Sequence, residues 1–482
     1  MAKKRRDGLQ TRRKVHVMTY QKKTSFSSTW RHYSNTMRNI IGLMTLAVFG
    51  TVHAVEQRPL GSQIVRKPDT GVGHFSEWSR NSKKQFLVDW QSDKVDQWII
   101  VMGNEGGDLD SITSALTWAY HLEHKSQIIS EPMKVIALLQ TPSDQLDLRP
   151  ENKLALDDSR MNSEHRDLLN INELPEDIET LSRRIKGIVL VDHAEPLRRW
   201  KDAKVLSIFD HHVDAGAAPD ASPRIFEKVA SCTTLVARQM LDELEQLDEE
   251  YHMPHELLQL ILGAIAIDSD GLNPDKSTGT DKAVSKRVLD RSRWADKDLD
   301  DVMGDLDEKL GDAKKDLDGM GLRDLLRRDW KGDFVDTPSP RTPTVHLGFA
   351  SIPIGMDEQI KRTEWEEPFN WFVIHAAWTA QVGTDISISL SKYKVKDEDG
   401  KKKKIREIVL VVRDDIRVDD DQANELFDVV FRAIEEDRNL NVTAWHGADK
   451  LRRRQMVWQH EYEEGGRKYV RPLVEKAVKG WK

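Results

Sequence analysis

The sequence predicts an α/β protein, with a parallel-sheet domain followed by a smaller α/β domain built on a mixed sheet. Three observations predict it. From residue 85 onward, short apolar runs rich in β-branched residues alternate with longer helical patterns, as in units that wind a parallel sheet. Four of those runs, at 98–102 (WIIVM), 135–139 (VIALL), 187–191 (GIVLV) and 205–209 (VLSIF), are apolar throughout and suit strands buried on both faces. Beyond residue 319 the runs alternate instead, as in 385–390 (DISISL), or are fewer, as in 408–412 (IVLVV), which fits a mixed or antiparallel sheet.

Taken in order, the chain begins with a basic leader over residues 1–60. Its first 38 residues contain a single acid, Asp7, and show no apolar periodicity. The apolar run 40–55 (IIGLMTLAVFGTVHAV) is shorter than the ~20 residues that span a bilayer. It ends in Val52-His53-Ala54, a small-x-small pattern, and Met37-Arg38-Asn39 supplies a basic start, so residues 37–54 have the form of a secretory signal. A mitochondrial transit peptide read from Met1 and an uncleaved signal-anchor are the alternatives. Apart from such an anchor, no membrane span is expected.

The first folded domain is expected over residues 75–290, an exposed, charged helical connector over 291–318, and the second domain over 319–482. A mobile connector would let the two domains close on a substrate. The basic run 392–406 reads as a hairpin with a solvated tip. A formal net charge of −8 argues against general nucleic-acid binding, which rests on Lys and Arg. The single cysteine, Cys232, rules out an intramolecular disulfide framework and a thiolate cluster, and is expected to be packing.

Acids and histidines fall where the strands end. Residues 98–102 run into 103–110 (GNEGGDLD), 187–191 into Asp192-His193, and 205–209 into Asp210-His211-His212. The apolar helix expected over 257–267 delivers Asp268. Ligands of doubly wound sheets bind outside the carboxyl ends of the strands, and such oxygen and imidazole donors suit Mg²⁺ or Mn²⁺. Taken singly, Asp108 also reads as a helix cap.

This ordered set resembles the DHH phosphoesterase superfamily over about residues 95–275, with Asn104 standing where the first motif, His-x-x-x-Asp-x-Asp, begins with histidine. That departure and the string GNEGGDLDSI look like the exopolyphosphatase and prune branch. The resemblance implies a site in which Asp108 and Asp192 hold one divalent cation, and Asp110, Asp192, His211 and Asp268 a second. It also implies that the two ions activate water for attack on phosphorus. His212 would act as an acid oriented by Asp210, and Asn104 would belong to the catalytic set.

The second domain resembles the DHHA2 module at 325–331 (LLRRDWK) and 466–472 (GRKYVRP), making Lys331, Arg467 and Lys468 candidates to hold substrate phosphates. Gly466 replaces the serine usual there. The activity implied is release of orthophosphate from inorganic polyphosphate. The alternatives are an inorganic pyrophosphatase, or a prune-like phosphodiesterase or interaction protein. The family resemblance also implies a cytoplasmic location, against which stands the signal-like leader.

Overall fold

The computed structural model describes residues 73–482 except 163, 165, 248–250 and 397–399. The expected leader over 1–60 therefore lies outside the described residues.

The first sheet contains six parallel strands: β1 (Trp98–Met102), β2 (Lys134–Leu139), β3 (Leu169–Asn170), β4 (Gly187–Val191), β5 (Val205–Asp210) and β6 (Arg224–Phe226). Their order is β3-β2-β1-β4-β5-β6. On β1, Ile99 and Val101 enter one apolar cluster while Trp98, Ile100 and Met102 enter another. Side chains alternate across a strand, so a strand covered on both faces must be apolar at every position, and WIIVM is.

Helices supply the covers. One face carries α1 (His74–Gln91), through Phe86, together with Leu181 and Trp200. The other carries α2 (Leu109–Ile128) and, further along the chain, α5 (Cys232–Leu244), α6 (His255–Ser269) and α7 (Gly279–Asp290). Two short helices, α3 (Pro150–Asp158) and α4 (Ile178–Arg184), lie between. Cys232 is fully buried, in keeping with a packing role.

The segment expected to be an exposed connector is different. Helix α8 (Leu299–Lys315) buries Leu299, Val302, Met303, Leu306 and Leu310 in the core of the first domain. These positions repeat at helical spacing and form one apolar stripe; the dense acids around them face water and hide it in the sequence. The passage between domains is only the stretch 316–321, so a long mobile connector is absent among the described residues.

The second domain carries α9 (Leu322–Arg328), β7 (Trp330–Asp336), β8 (Thr344–Ile352), α10 (Met356–Lys361), α11 (Pro368–Gln381), β9 (Ile386–Lys396), β10 (Lys402–Val412), α12 (Asp420–Glu435), β11 (Thr443–Ala444), β12 (Gln455–His460) and α13 (Arg467–Lys479). Its sheet is mixed, in the order β11-β12-β10-β9-β8-β7, with β8 and β9 parallel and the other pairs antiparallel. Along β9, Ile386, Ile388 and Leu390 enter the core beneath α12 and α13. The intervening serines are buried too: Ser387 Oγ lies 2.9 Å from His375 Nε2, and Ser391 accepts from Gln359 at 2.9 Å. The basic run at 392–406 forms the far half of the β9–β10 hairpin, as expected, with 397–399 outside the described residues.

Ion pairs join the domains. Arg328 of α9 donates to Glu151 of α3 at 3.2 Å, both side chains almost fully buried, and Arg149 lies 3.4 Å from Asp329. Breaking one partner of such a pair strands a buried charge.

The packed state of α8 can be measured. Leu310 Cδ1 sits 3.3 Å from where a Cβ on Gly263 of α6 would lie, so little space surrounds it. Leu310→Ala is expected to lower unfolding stability by about 2–5 kcal/mol in chemical denaturation. A loss within about 0.5 kcal/mol, usual for exposed sites, would return this helix to the surface.

Candidate metal centre

In the first sheet the winding direction reverses between β1 and β4, and the loops after β1, β4 and β5 meet there. Asn104 and Asp108 come from the first loop, Asp110 from the opening turn of α2, Asp192 from the second loop, and Asp210, His211 and His212 from the third. Asp268 arrives in the last turn of α6, where Asp270 and Gly271, both in the left-handed region, end the helix.

Asp192 is the centre of the arrangement. It is 3% exposed, and its φ of 60° puts a non-glycine residue in left-handed backbone, a strained state held by its surroundings. One carboxylate oxygen, Oδ2, accepts from Asn104 Nδ2 and from Ser111 Oγ, each at 2.6 Å. The other, Oδ1, faces His211 Nε2 at 3.4 Å and His212 Nδ1 at 3.7 Å. Asn104 thus holds the carboxylate from behind, and its Oδ1 accepts from the Gly106 amide at 2.9 Å.

The histidines are oriented by their second nitrogens. His211 Nδ1 donates to the Val229 carbonyl at 3.1 Å, which turns Nε2 to Asp192. His212 Nδ1 lies 2.7 Å from Asp210 Oδ1. Asp210 is fully buried, and its Oδ2 has no hydrogen-bond partner among the described residues. Asp192, Asp210, His211 and His212 each bring a ligand atom within 4.8 Å of the others, with room for a cation among them.

The remaining acids stand around this cluster. Asp108 caps α2, accepting from the Ser111 amide at 3.2 Å. Asp110 accepts at 2.7 Å from the amides of Cys232 and Thr233, from Ser231 Oγ and from Thr233 Oγ1, at the start of α5. Asp268, half-buried, makes no hydrogen bond or ion pair among the described residues.

Their charges act on one another. Burial, then the charges of Asp108 and Asp110, push the Asp192 carboxyl up to about 6. Burial with Asp110, Asp108 and Asp192 pushes Asp268 well above the usual carboxylate range. Burial opposes a charge on His211, but its bond to Asp192 and the nearby Asp110 outweigh that and raise it to about 10. Crowded acids with an orphaned oxygen and an oriented imidazole are the donor set a hard divalent cation takes, so the residues present fit such an ion.

Cations approach from the other domain. A Cβ on Gly106 would meet Lys331 Cε at 2.6 Å, so Lys331 lies directly over the first loop. Gly107, at φ 54°, has Thr141 Oγ1 only 1.8 Å from where its Cβ would be, and glycine alone fits. Buried Arg149 donates to the Gly106 carbonyl at 2.7 Å. Burial alone would raise Asp108, but Arg149 and Lys331 hold it below its ordinary value. Arg467 donates to Asp329 at 3.0 Å.

Comparison with known proteins identifies the domain that carries this cluster. The profile described as "DHH family, N-terminal domain" matches residues 98–265. The "Putative exopolyphosphatase" of Schizosaccharomyces pombe is 31% identical over 313 residues, 62% of this chain and 76% of that protein. The chain belongs to the DHH family. The "Manganese-dependent inorganic pyrophosphatase" of Bacillus subtilis is 27% identical over 40% of this chain and 54% of its own length. "Exopolyphosphatase PRUNE1" of Bos taurus is 26% identical over 48% of this chain and 49% of its own. The chain thus spans about half the length of these two relatives.

Against the sequence expectations, the structure of this DHH-family chain brings Asp192, His211, His212 and Asp210 into one cluster and sets Lys331 above the first loop. Asn104 contacts Asp192, which makes it a positioning residue in this geometry. Asp108, which also read as a helix cap, caps α2, and Asp110 accepts from the first amides of α5, because each lies beside a helix start whose amides need acceptors. Lys468 is exposed at the start of α13 and makes no hydrogen bond or ion pair among the described residues. Sequence reasoning missed Arg149 and Ser111. A lone Arg before Pro150 carries no local signal, whereas Ser111, one residue after Asp110 in the first motif, could have been flagged.

Two outcomes test the centre. Mn²⁺ in about hundredfold excess over its Kd is expected to stabilise the wild type by about 2.7 kcal/mol and to leave Asp192→Asn unshifted in thermal denaturation; an equal shift in both would remove Asp192 from the ion site. Asn104→His, which adds an imidazole, should move the metal preference from Mg²⁺ toward Mn²⁺, read as the ratio of phosphate release with each ion.

Proposed function

We propose that this chain is a metal-dependent exopolyphosphatase, hydrolysing terminal phosphoanhydride bonds of inorganic polyphosphate and releasing orthophosphate. The observation that carries the reading is the pairing of a buried acid and histidine cluster with a cationic wall to which both domains contribute. The names of its relatives support the same class of reaction.

A cavity of about 360 Å³ lies between the domains, lined by Arg149, Lys314, Arg328, Lys392, Arg406 and Arg467, with Asp329 the one acid. A phosphate chain carries about one negative charge per unit, and this wall answers it in a protein that is acidic overall. Arg406 Nη1 lies 3.3 Å from where a Cβ on Gly466 would stand. The glycine in place of the expected serine thus leaves room for a guanidinium, a better partner for phosphate than a hydroxyl. A wall of several cations favours a chain of many charges over a single pyrophosphate.

Two divalent cations, held by Asp108, Asp110, Asp192, His211 and Asp268, would supply the charge that polarises water and phosphoryl oxygens. The chain's own groups do the rest. Lys331 and Arg467 bind phosphate oxygens, and Asn104 and Ser111 fix Asp192. With Nδ1 held by Asp210, His212 offers its Nε2 proton to the departing oxygen.

The test is a metal-supplemented phosphate-release assay on long polyphosphate, tripolyphosphate, pyrophosphate and cyclic AMP. Long chains should turn over best. Activity confined to pyrophosphate, or to cyclic AMP, would replace this reading with a pyrophosphatase or a phosphodiesterase. Lys392→Ala with Arg406→Gln should lower kcat/KM on long chains about tenfold or more, as for lost charge-assisted contacts, and lower it less on pyrophosphate.

A further inference from the structure

Helix α11 (PFNWFVIHAAWTAQ) runs for 14 residues without an acid, a lysine or an arginine. A helix that is apolar all round belongs inside a protein, and one face of this one is inside: Trp371, Phe372 and Trp378 enter a core of the second domain. The opposite face is in water. Phe369 and Val373, four residues apart and so neighbours on the helix surface, are 48% and 49% exposed. Ala376, Ala377 and Ala380 continue that side in exposed positions. Trp365, in the turn before the helix, is 76% exposed.

Trp365 is a knob. It and Glu366 hold left-handed backbone, at φ of 67° and 52°, a cost that non-glycine residues bear where function asks for it. The indole N–H has no acceptor, and the ring stacks on no other ring, among the described residues. Glu364, Glu366 and Glu367 flank it in the chain, all exposed, and none of their carboxylates is paired among the described residues.

A hole lies on the same face. A cavity of about 190 Å³ is lined by Phe369, Phe372, Val373 and Ala376 of α11, and by Lys450, Arg452 and Gln455 from the stretch leading into β12. The Arg452 guanidinium stands 4.3 Å from the centre of the Phe369 ring. Neither it nor the Lys450 ammonium has an acid partner among the described residues.

An aromatic knob ringed by acids and an apolar hole ringed by cations, displaced from one another along one helix, are the two halves of a contact that a two-fold axis completes. We propose that two copies of this chain dock face to face through α11, with Trp365 of each seated in the cavity beside Phe369 of the other. The two helices then run antiparallel, and Phe369 lies near the axis. The acids around each knob meet Lys450 and Arg452 of the other copy, which sets an apolar centre inside a charged rim and fixes the register. The alanines on this face add no bulk to hold the copies apart. Neither the acid and histidine cluster nor the basic cavity shares a residue with the hole, so the docking stands apart from the hydrolytic reading.

The experiment is sedimentation of the full chain from about 1 to 100 μM, a range that covers the dissociation constants of modest interfaces. The wild type should pass from monomer to dimer. Trp365→Ala should weaken the dimer about tenfold or more, the loss expected of a central aromatic anchor, with its circular dichroism unchanged. Two charge reversals then decide the partner. Lys450→Glu with Arg452→Glu puts acids around the hole, and Glu364→Lys with Glu366→Lys puts bases around the knob. Each reversed chain alone should stay monomeric, because both contacts of a two-fold pair then set like charges together. Mixed in equal amounts they should dimerise again, since each contact regains opposite charges. A wild type that stays monomeric throughout overturns the proposal, as does a reversed chain that dimerises like the wild type, or a mixture that stays monomeric.

Discussion

Carboxylates forced together in a buried space repel, and the rest of this structure is arranged around that repulsion. Isolated, each acid at the end of β1, β4 or β5 would be an ordinary loop residue. Brought together at the switch point, Asp192 and Asp268 can stay charged only if positive charge is supplied. His211 provides some, and Lys331 and Arg149 provide more from the flank. What remains is a demand for a cation, written into the fold by strand order.

The second domain answers to the same constraint. Its sheet is held to the first by buried pairs, Arg328 with Glu151 and Arg149 with Asp329, and these set Lys331 over Gly106. The first loop is glycine-rich because two side chains, Lys331 and Thr141, already occupy the space that Cβ atoms would need there. Positioning therefore runs from the interface to the loop, and from the loop through Asn104 to Asp192.

Much of this was legible in the residues. Strands buried on two faces are apolar throughout, so β1, β4 and β5 could be read directly, and polar residues at their ends stood out. Helix α8 could not be read that way, because acids on its exposed face outnumber the five apolar residues of its stripe. The partners of Asp110 were hidden for another reason. Ser231 and Thr233 lie more than a hundred residues away, and nothing local marks them as neighbours. Likewise the role of Asn104 depends on a contact with Asp192 across 88 positions.

Asp110 also links two events that would otherwise be separate. Its carboxylate serves as the acceptor that the first amides of α5 require, a service worth roughly 1 kcal/mol in helices generally. Any ion that draws an oxygen of Asp110 competes with those amides for it. Occupancy of the centre through Asp110 would then be coupled to fraying of α5, and the rate at which the Cys232 and Thr233 amide protons exchange with solvent would become a gauge of the ion.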